Sequence, residues 1–248
     1  MLEEVPRLPE IPKEQYREER RRLGLRLGEL QREARERNLP VLIYFEGWDA
    51  AGKGTLIGNL IDSLDPRGYT FHTVHEPTDE ERRRPRLWRE WMRTPARGQI
   101  ALYDRGPFHQ IAEERISKDL SRDAWARHLD DLVDFERLLV ADGAVLLKFF
   151  LHISRKEQKK RLARLEADED TSWRVAKDDW RRHRRYDKYL ELYARMLVRT
   201  EHPDAPWRVL DATEAPAATL AMYGAIVAAL EAALGEGKGV PAPPPALP

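Results

Sequence analysis

The chain has 248 residues, enough for one large α/β domain with a substantial core. Basic and acidic residues number 43 each, so the net charge of zero argues against a generally basic nucleic-acid coat and leaves room for a local basic groove. Cysteine is absent, which excludes disulfides and thiolate metal sites. The first residues hold no apolar signal core and no run reads as a membrane span, so a cytoplasmic protein without a membrane partner is expected.

After an N-terminal extension, 1–12, a charged helix is predicted from about Lys13 to Arg37, with Tyr16, Leu23, Leu27 and Leu30 as its apolar stripe. The continuous apolar run "VLIYFE" (41–46) reads as a buried parallel strand. Further strands are expected at 69–75, 99–104, 144–151 and 207–211, alternating with helical spacing at 55–64, 79–93, 121–141, 154–166 and 214–234. That alternation predicts an α/β fold, a doubly wound parallel sheet of about five strands with helices on both faces, over 13–234. The polar stretch 167–188 has no clean apolar stripe at its start and suits a mobile cover, and the Pro-rich tail, 235–248, suits extended chain.

Between the first strand and the next helix stands "GWDAAGKGT" (47–55), a phosphate-loop pattern in the strand–loop–helix context that such a loop requires. Small residues at Ala50, Ala51, Gly52 and Gly54 let backbone N–H groups converge on an anion, and Lys53 adds a full charge at a helix N-terminus. The pattern departs from G-x-x-x-x-G-K-[ST] twice. Gly54 takes the place of the hydroxyl residue that usually meets Mg²⁺, with Thr55 one position late, and Asp49 puts a carboxylate inside a loop built for anions. Mg²⁺ needs only one or two carboxylates plus phosphate oxygens, and Asp49 and Asp104, at the end of "IALYD", are the expected metal ligands. The alternatives are a helix cap for Asp49 and a plain strand-end turn for Asp104. Arg105, next to Asp104, is poised for phosphate.

These residues resemble the polyphosphate kinase 2 family over about Tyr16 to Leu234. The resemblance rests on "GWDAAGKGT", "DPRG" (65–68), "EPTDEE" (76–81), "LWR" (87–89), "YDRG" (103–106), "FERLL" (135–139), "KFFLHIS" (148–154), "EQKKR" (157–161), Trp173-Arg174, "YDKYLELY" (186–193) and "APWRVLDAT" (205–213), in that order. The loop and "VLDAT" look most like its polyphosphate:AMP phosphotransferase branch. The resemblance implies a three-layer P-loop kinase fold with a helical lid (about 155–188), Mg²⁺, and transfer of phosphate between inorganic polyphosphate and an adenine or guanine nucleotide, with AMP or ADP as acceptor. It also implies a homo-oligomer. Carried over by position, Asp49 would place metal and acceptor phosphate, Lys53 would bind phosphoryl oxygens, Asp104 would hold Mg²⁺ and Arg105 would meet polyphosphate. Arg161 and Arg174 match basic family positions; with them, Gly47, Ala50, Ala51, Gly52, Gly54 and Thr55 of the loop and Arg185 of the charged run 181–185 are the expected phosphate contacts. The chain departs from the family pattern at Gly106, Pro107 and Phe108, at Thr171 and Ser172, and in "EAPAAT" (214–219), where the usual aromatic is missing.

An ionised nucleotide phosphate is its own nucleophile, so no general base is needed, and His109 is expected to contact phosphate or solvent. A polyanionic donor calls for a cationic track. The candidates are Arg82, Arg86, Arg89 and Arg93, on one face if 81–93 is a single helix, and the arginines from 174 to 185. Two other readings stay open on sequence: an ATP-dependent nucleoside monophosphate kinase of thymidylate-kinase type, and a catalytically silent polyphosphate- or nucleotide-binding domain.

Overall fold

The computed structural model describes residues 2, 5–73 and 75–235. Five strands, β1 (Val41–Gly47), β2 (Tyr69–Thr73), β3 (Ile100–Asp104), β4 (Val145–His152) and β5 (Trp207–Asp211), pair in parallel in the order β2-β3-β1-β4-β5. The central strand β1 is buried at every position, as the apolar run requires when both faces are covered. Helices α1 (Lys13–Glu36), α2 (Lys53–Ile61) and α10 (Ala215–Gly235) cover one face; α5 (Pro107–Ser117), α6 (Arg122–Ala141) and α9 (Tyr186–Arg199) cover the other. The chain leaves β1 first towards β2 and later towards β4. The crevice at such a reversal opens at the carboxyl ends of β1 and β3.

Two sequence expectations are corrected, one on helix continuity and one on membrane-spanning length. The stretch 79–93 is not one helix: α3 (Asp79–Arg82) and α4 (Trp88–Met92) are separated around Pro85, which lacks an N–H and disfavours helical backbone in the residue before it. The polar stretch 167–188 is largely helical, with α8 (Lys177–Arg184) following a 3₁₀ turn at Ser172–Arg174, and α7 (Arg155–Ala167) precedes it. The reading that no run approaches a membrane span also gives way, because α10 is long and apolar enough by length and composition. Its Met222, Tyr223, Ile226 and Leu230 are buried in the core, where α10 packs on α1 and the sheet. The predicted tail lies outside the described residues except for Gly235.

Candidate active site

The loop after β1 turns through three left-handed residues, Gly47 (φ +120°), Ala50 (φ +58°) and Gly52 (φ +98°), before α2 begins at Lys53. Gly47 is required twice over: its φ suits glycine, and a Cβ there would run into the backbone of Leu151 on β4. Lys53 is buried and donates to the carbonyls of Gly47 (3.1 Å) and Trp48 (2.7 Å) across its own loop. Burial lowers its ammonium and Arg105 lowers it further; Asp104, Asp49 and Glu46 oppose this, and the balance leaves it at about 8. Both candidate metal carboxylates thus lie within electrostatic reach of one lysine. Gly54 and Thr55 are exposed, and a Cβ on Gly54 would meet nothing within 4 Å, so packing does not exclude a hydroxyl residue there.

Asp49 sits at the focus of three cations. Its carboxylate accepts from Arg105 and, through the other oxygen, from Arg182 Nε of α8 at 2.5 Å. Burial alone would raise its carboxyl, but Arg105, Arg182 and Lys53 outweigh burial and hold it at about 2. Its main-chain carbonyl accepts from the buried Gln158 of α7 (3.2 Å), whose own carbonyl pairs with His183 of α8 at 2.8 Å. Asp104 is the converse case: its Oδ1 is buried with no hydrogen-bond partner. A buried anionic oxygen without a donor destabilises the fold unless a cation meets it. The unmet oxygen of Asp104 suits a hard divalent ion that takes one or two carboxylates and completes its shell with phosphate and water oxygens, whereas both oxygens of Asp49 are engaged by arginines. Among the described residues no cluster of three or more His, Asp or Glu forms an all-protein metal cage.

Beyond Arg105 opens a cleft of about 860 Å³ between the α3–α4 segment, α5 and α8, lined by Arg84, Arg89, His109, Glu113, Arg181 and Arg182 among others. Its arginines are largely paired: Arg86 with Glu114, Arg89 with Glu81, Arg181 with Asp178 and Arg182 with Asp179. His109 is buried at the cleft wall; burial and Arg105 push its imidazole well below the usual range, which leaves it neutral. Of the other expected phosphate ligands, Arg161 donates to the carbonyls of Ala50, Ala51, Ala212 and Thr213 and to Glu157, engaging all five of its N–H groups. Arg174 stacks over the exposed Trp173 at 5.2 Å, and Arg185 is exposed at the end of α8; neither lines the cleft. The charged run 181–185 therefore contributes Arg181 and Arg182. Sequence reasoning missed Glu46 and Gln158, although a carboxylate ending the buried run "VLIYFE" was a visible signal for the first.

The sequence pattern of the polyphosphate kinase 2 family matches residues 10–238. The chain belongs to that family. Among polyphosphate kinase 2 relatives, the polyphosphate:AMP phosphotransferase of Pseudomonas aeruginosa is 34% identical over 223 residues, which is 90% of this chain and 45% of that protein. The AMP/ADP-polyphosphate phosphotransferase of Meiothermus ruber is 30% identical over 70% of this chain and 65% of its own. A crystal structure described as a polyphosphate kinase 2 from Pseudomonas aeruginosa superposes with a TM-score of 0.88 at 33% identity, covering 92% of this chain and 49% of that one. The polyphosphate kinase 2 structure from Arthrobacter aurescens gives 0.86 at 27% identity, over 94% and 83%. The chain thus spans about half the length of the first curated relatives it matches.

Proposed function

We propose that this domain catalyses Mg²⁺-dependent transfer of a phosphoryl group between inorganic polyphosphate and an adenine or guanine nucleotide, with AMP or ADP as acceptor. The observation that carries this reading is the partnerless buried Oδ1 of Asp104, set beside the Lys53 phosphate loop in a polyphosphate kinase 2 chain. Asp104 and Asp49 would hold the ion, whose charge, when bound, offsets repulsion between donor and acceptor phosphates. Transfer between two phosphate chains requires positioning and charge stabilisation and no proton abstraction. Lys53 exchanges its two carbonyl acceptors for phosphoryl oxygens, and the loop amides add to that cradle. Arg105 and Arg182 balance the Asp49 carboxylate, and their guanidinium groups are the donors that substrate phosphates would meet beside it. The neutral His109 stays a hydrogen-bonding wall residue. The cytoplasm, which supplies nucleotides and Mg²⁺, is the compartment this reading calls for, and a homo-oligomer is the expected assembly.

A donor-by-acceptor assay decides it: polyphosphate or ATP against AMP, ADP, GMP and GDP, with and without Mg²⁺. Nucleotide product from polyphosphate is expected only with the ion. Turnover with ATP and none with polyphosphate would replace this reading with a nucleoside monophosphate kinase. Polyphosphate binding without product would leave a silent binding domain.

A further inference from the structure

The last residue but one of β1 carries a carboxylate that the proposed transfer does not use. Glu46 is 1% exposed, and its Oε1 accepts the N–H of Gly106 at 2.8 Å. One residue earlier, the Phe45 carbonyl accepts the N–H of Arg105 at 3.0 Å. Two successive residues of β1 therefore grip two successive amides of the turn that leaves β3, the turn that carries Asp104 and Arg105.

That turn needs an external hold. Arg105 is left-handed (φ +62°), a conformation that a side-chain-bearing residue adopts only when its surroundings enforce it. The helix that follows has Gly106 at its N-cap with no side chain to cap it and Pro107 at its first position. From the neighbouring strand Glu46 accepts the N–H of that N-cap residue itself. The fit is close, because a Cβ on Gly106 would lie 2.7 Å from Tyr44 Cδ1 and 3.3 Å from Glu46 Oε1.

We propose that Glu46 is a positioning residue: by holding the Gly106 amide it fixes the Asp104–Arg105 turn against the phosphate loop, and so sets where the Asp104 carboxylate and the Arg105 guanidinium meet substrate phosphates. The hold on the turn follows from the hydrogen bonds alone; the meeting with phosphates rests on the function proposed above. Burial raises the Glu46 carboxyl to about 8, against the opposing pull of the Gly106 amide and Lys53, so near neutral pH it is largely the uncharged acid. Glutamine reproduces both the shape and the acceptor of that acid.

The test compares Glu46→Gln, Glu46→Asp and Glu46→Ala in two readouts. The first is hydrogen exchange at the Gly106 amide, with the Ala101 and Leu102 amides of β3 as the folding control. The second is kcat and KM in the polyphosphate assay. Glu46→Gln is expected to keep Gly106 protected and kcat within about threefold of the parent protein, since the acceptor is retained. Glu46→Ala, and Glu46→Asp with its shorter reach, should expose Gly106 while β3 stays protected. They should lower kcat about 10- to 100-fold, with nucleotide KM little changed, as a displaced reacting group does. Unchanged Gly106 exchange in both shortened variants would overturn the proposal. So would a Glu46→Gln as impaired as Glu46→Ala, because charge rather than the acceptor would then be what matters. If the parent protein forms no product from polyphosphate, the functional reading fails, while the exchange result still decides whether Glu46 holds the turn.

Discussion

At the rim of β1 and β3, Glu46, Asp49 and Lys53 are buried and each has fixed partners reached across strands and loops. Across the cleft the arginines are mostly half-exposed and bound to acids of their own segment, as in Arg82–Asp79, Arg84–Glu80 and Arg181–Asp178. The chemistry of the side chains is alike, but the surroundings differ. A charge at the buried rim acts through a low dielectric, whereas an exposed pair is screened by water and salt and adds little. The rim can stabilise charge as it develops in the reaction; the helical arginines can gather and steer a polyanion. Arg182 belongs to both regions, because it leaves α8 to reach Asp49.

Substitutions can break that contrast. The largest effect is expected at Lys53→Ala, which should cost about 3 kcal/mol of transition-state stabilisation, the scale of a lost oriented donor; steady-state kinetics checks it, and near-normal turnover would take the loop out of the site. Next comes Asp104→Asn. It removes the charge from a carboxyl whose Oδ1 is buried without a partner, so the protein should melt no lower, while half-saturation by Mg²⁺ moves to higher concentration by about tenfold, the scale of a disturbed metal site. An unchanged metal titration would contradict its assignment. A smaller change separates the arginines: Arg181→Glu should raise KM for long polyphosphate severalfold and lose that effect at high salt, whereas Arg174→Glu and Arg185→Glu, away from the cleft, should change it less. Equal effects at all three would mean that the cationic track runs outside the cleft.

The last test reads a slope in stability rather than a change in rate. The Glu46 carboxyl is raised in the folded protein, so its contribution to stability is fully present below its unfolded value near 4.5 and is lost as pH rises through about 8. The stability of the parent protein relative to Glu46→Gln should therefore decline between those pH values in denaturant titrations. A flat difference would show that Lys53 and Arg105, which face this carboxyl, keep it ionised throughout.

Legibility in the sequence follows the same division. The strands β1, β3 and β4 could be read from the chain because central parallel strands are short apolar runs bounded by turns, the edge strands β2 and β5 because β-rich stretches fall where the alternation calls for them, and the phosphate loop because its glycines answer to local backbone geometry. The helix break at Pro85 carried a local signal too, but the arginine spacing over 82–93 imitated a continuous face. Partner choice carried no such signal. Nothing in the run 181–185 marks Arg182, rather than Arg185, as the residue that meets a loop 133 positions earlier. Likewise, the basic position 161 suggested an anion ligand, while its donors go to main-chain carbonyls brought together only by the fold.

The Arg161 contacts also limit what can move. Through that one side chain α7 is bolted to the phosphate loop and to the turn after β5, and through Gln158 it is tied to Asp49 as well. A cover swinging from Arg155 would have to tear out all these fastenings at once. A cover hinged beyond Ala167 would keep these fastenings and would have to release only those of α8, Arg182 to Asp49 and His183 to Gln158, a flap on a fixed spar.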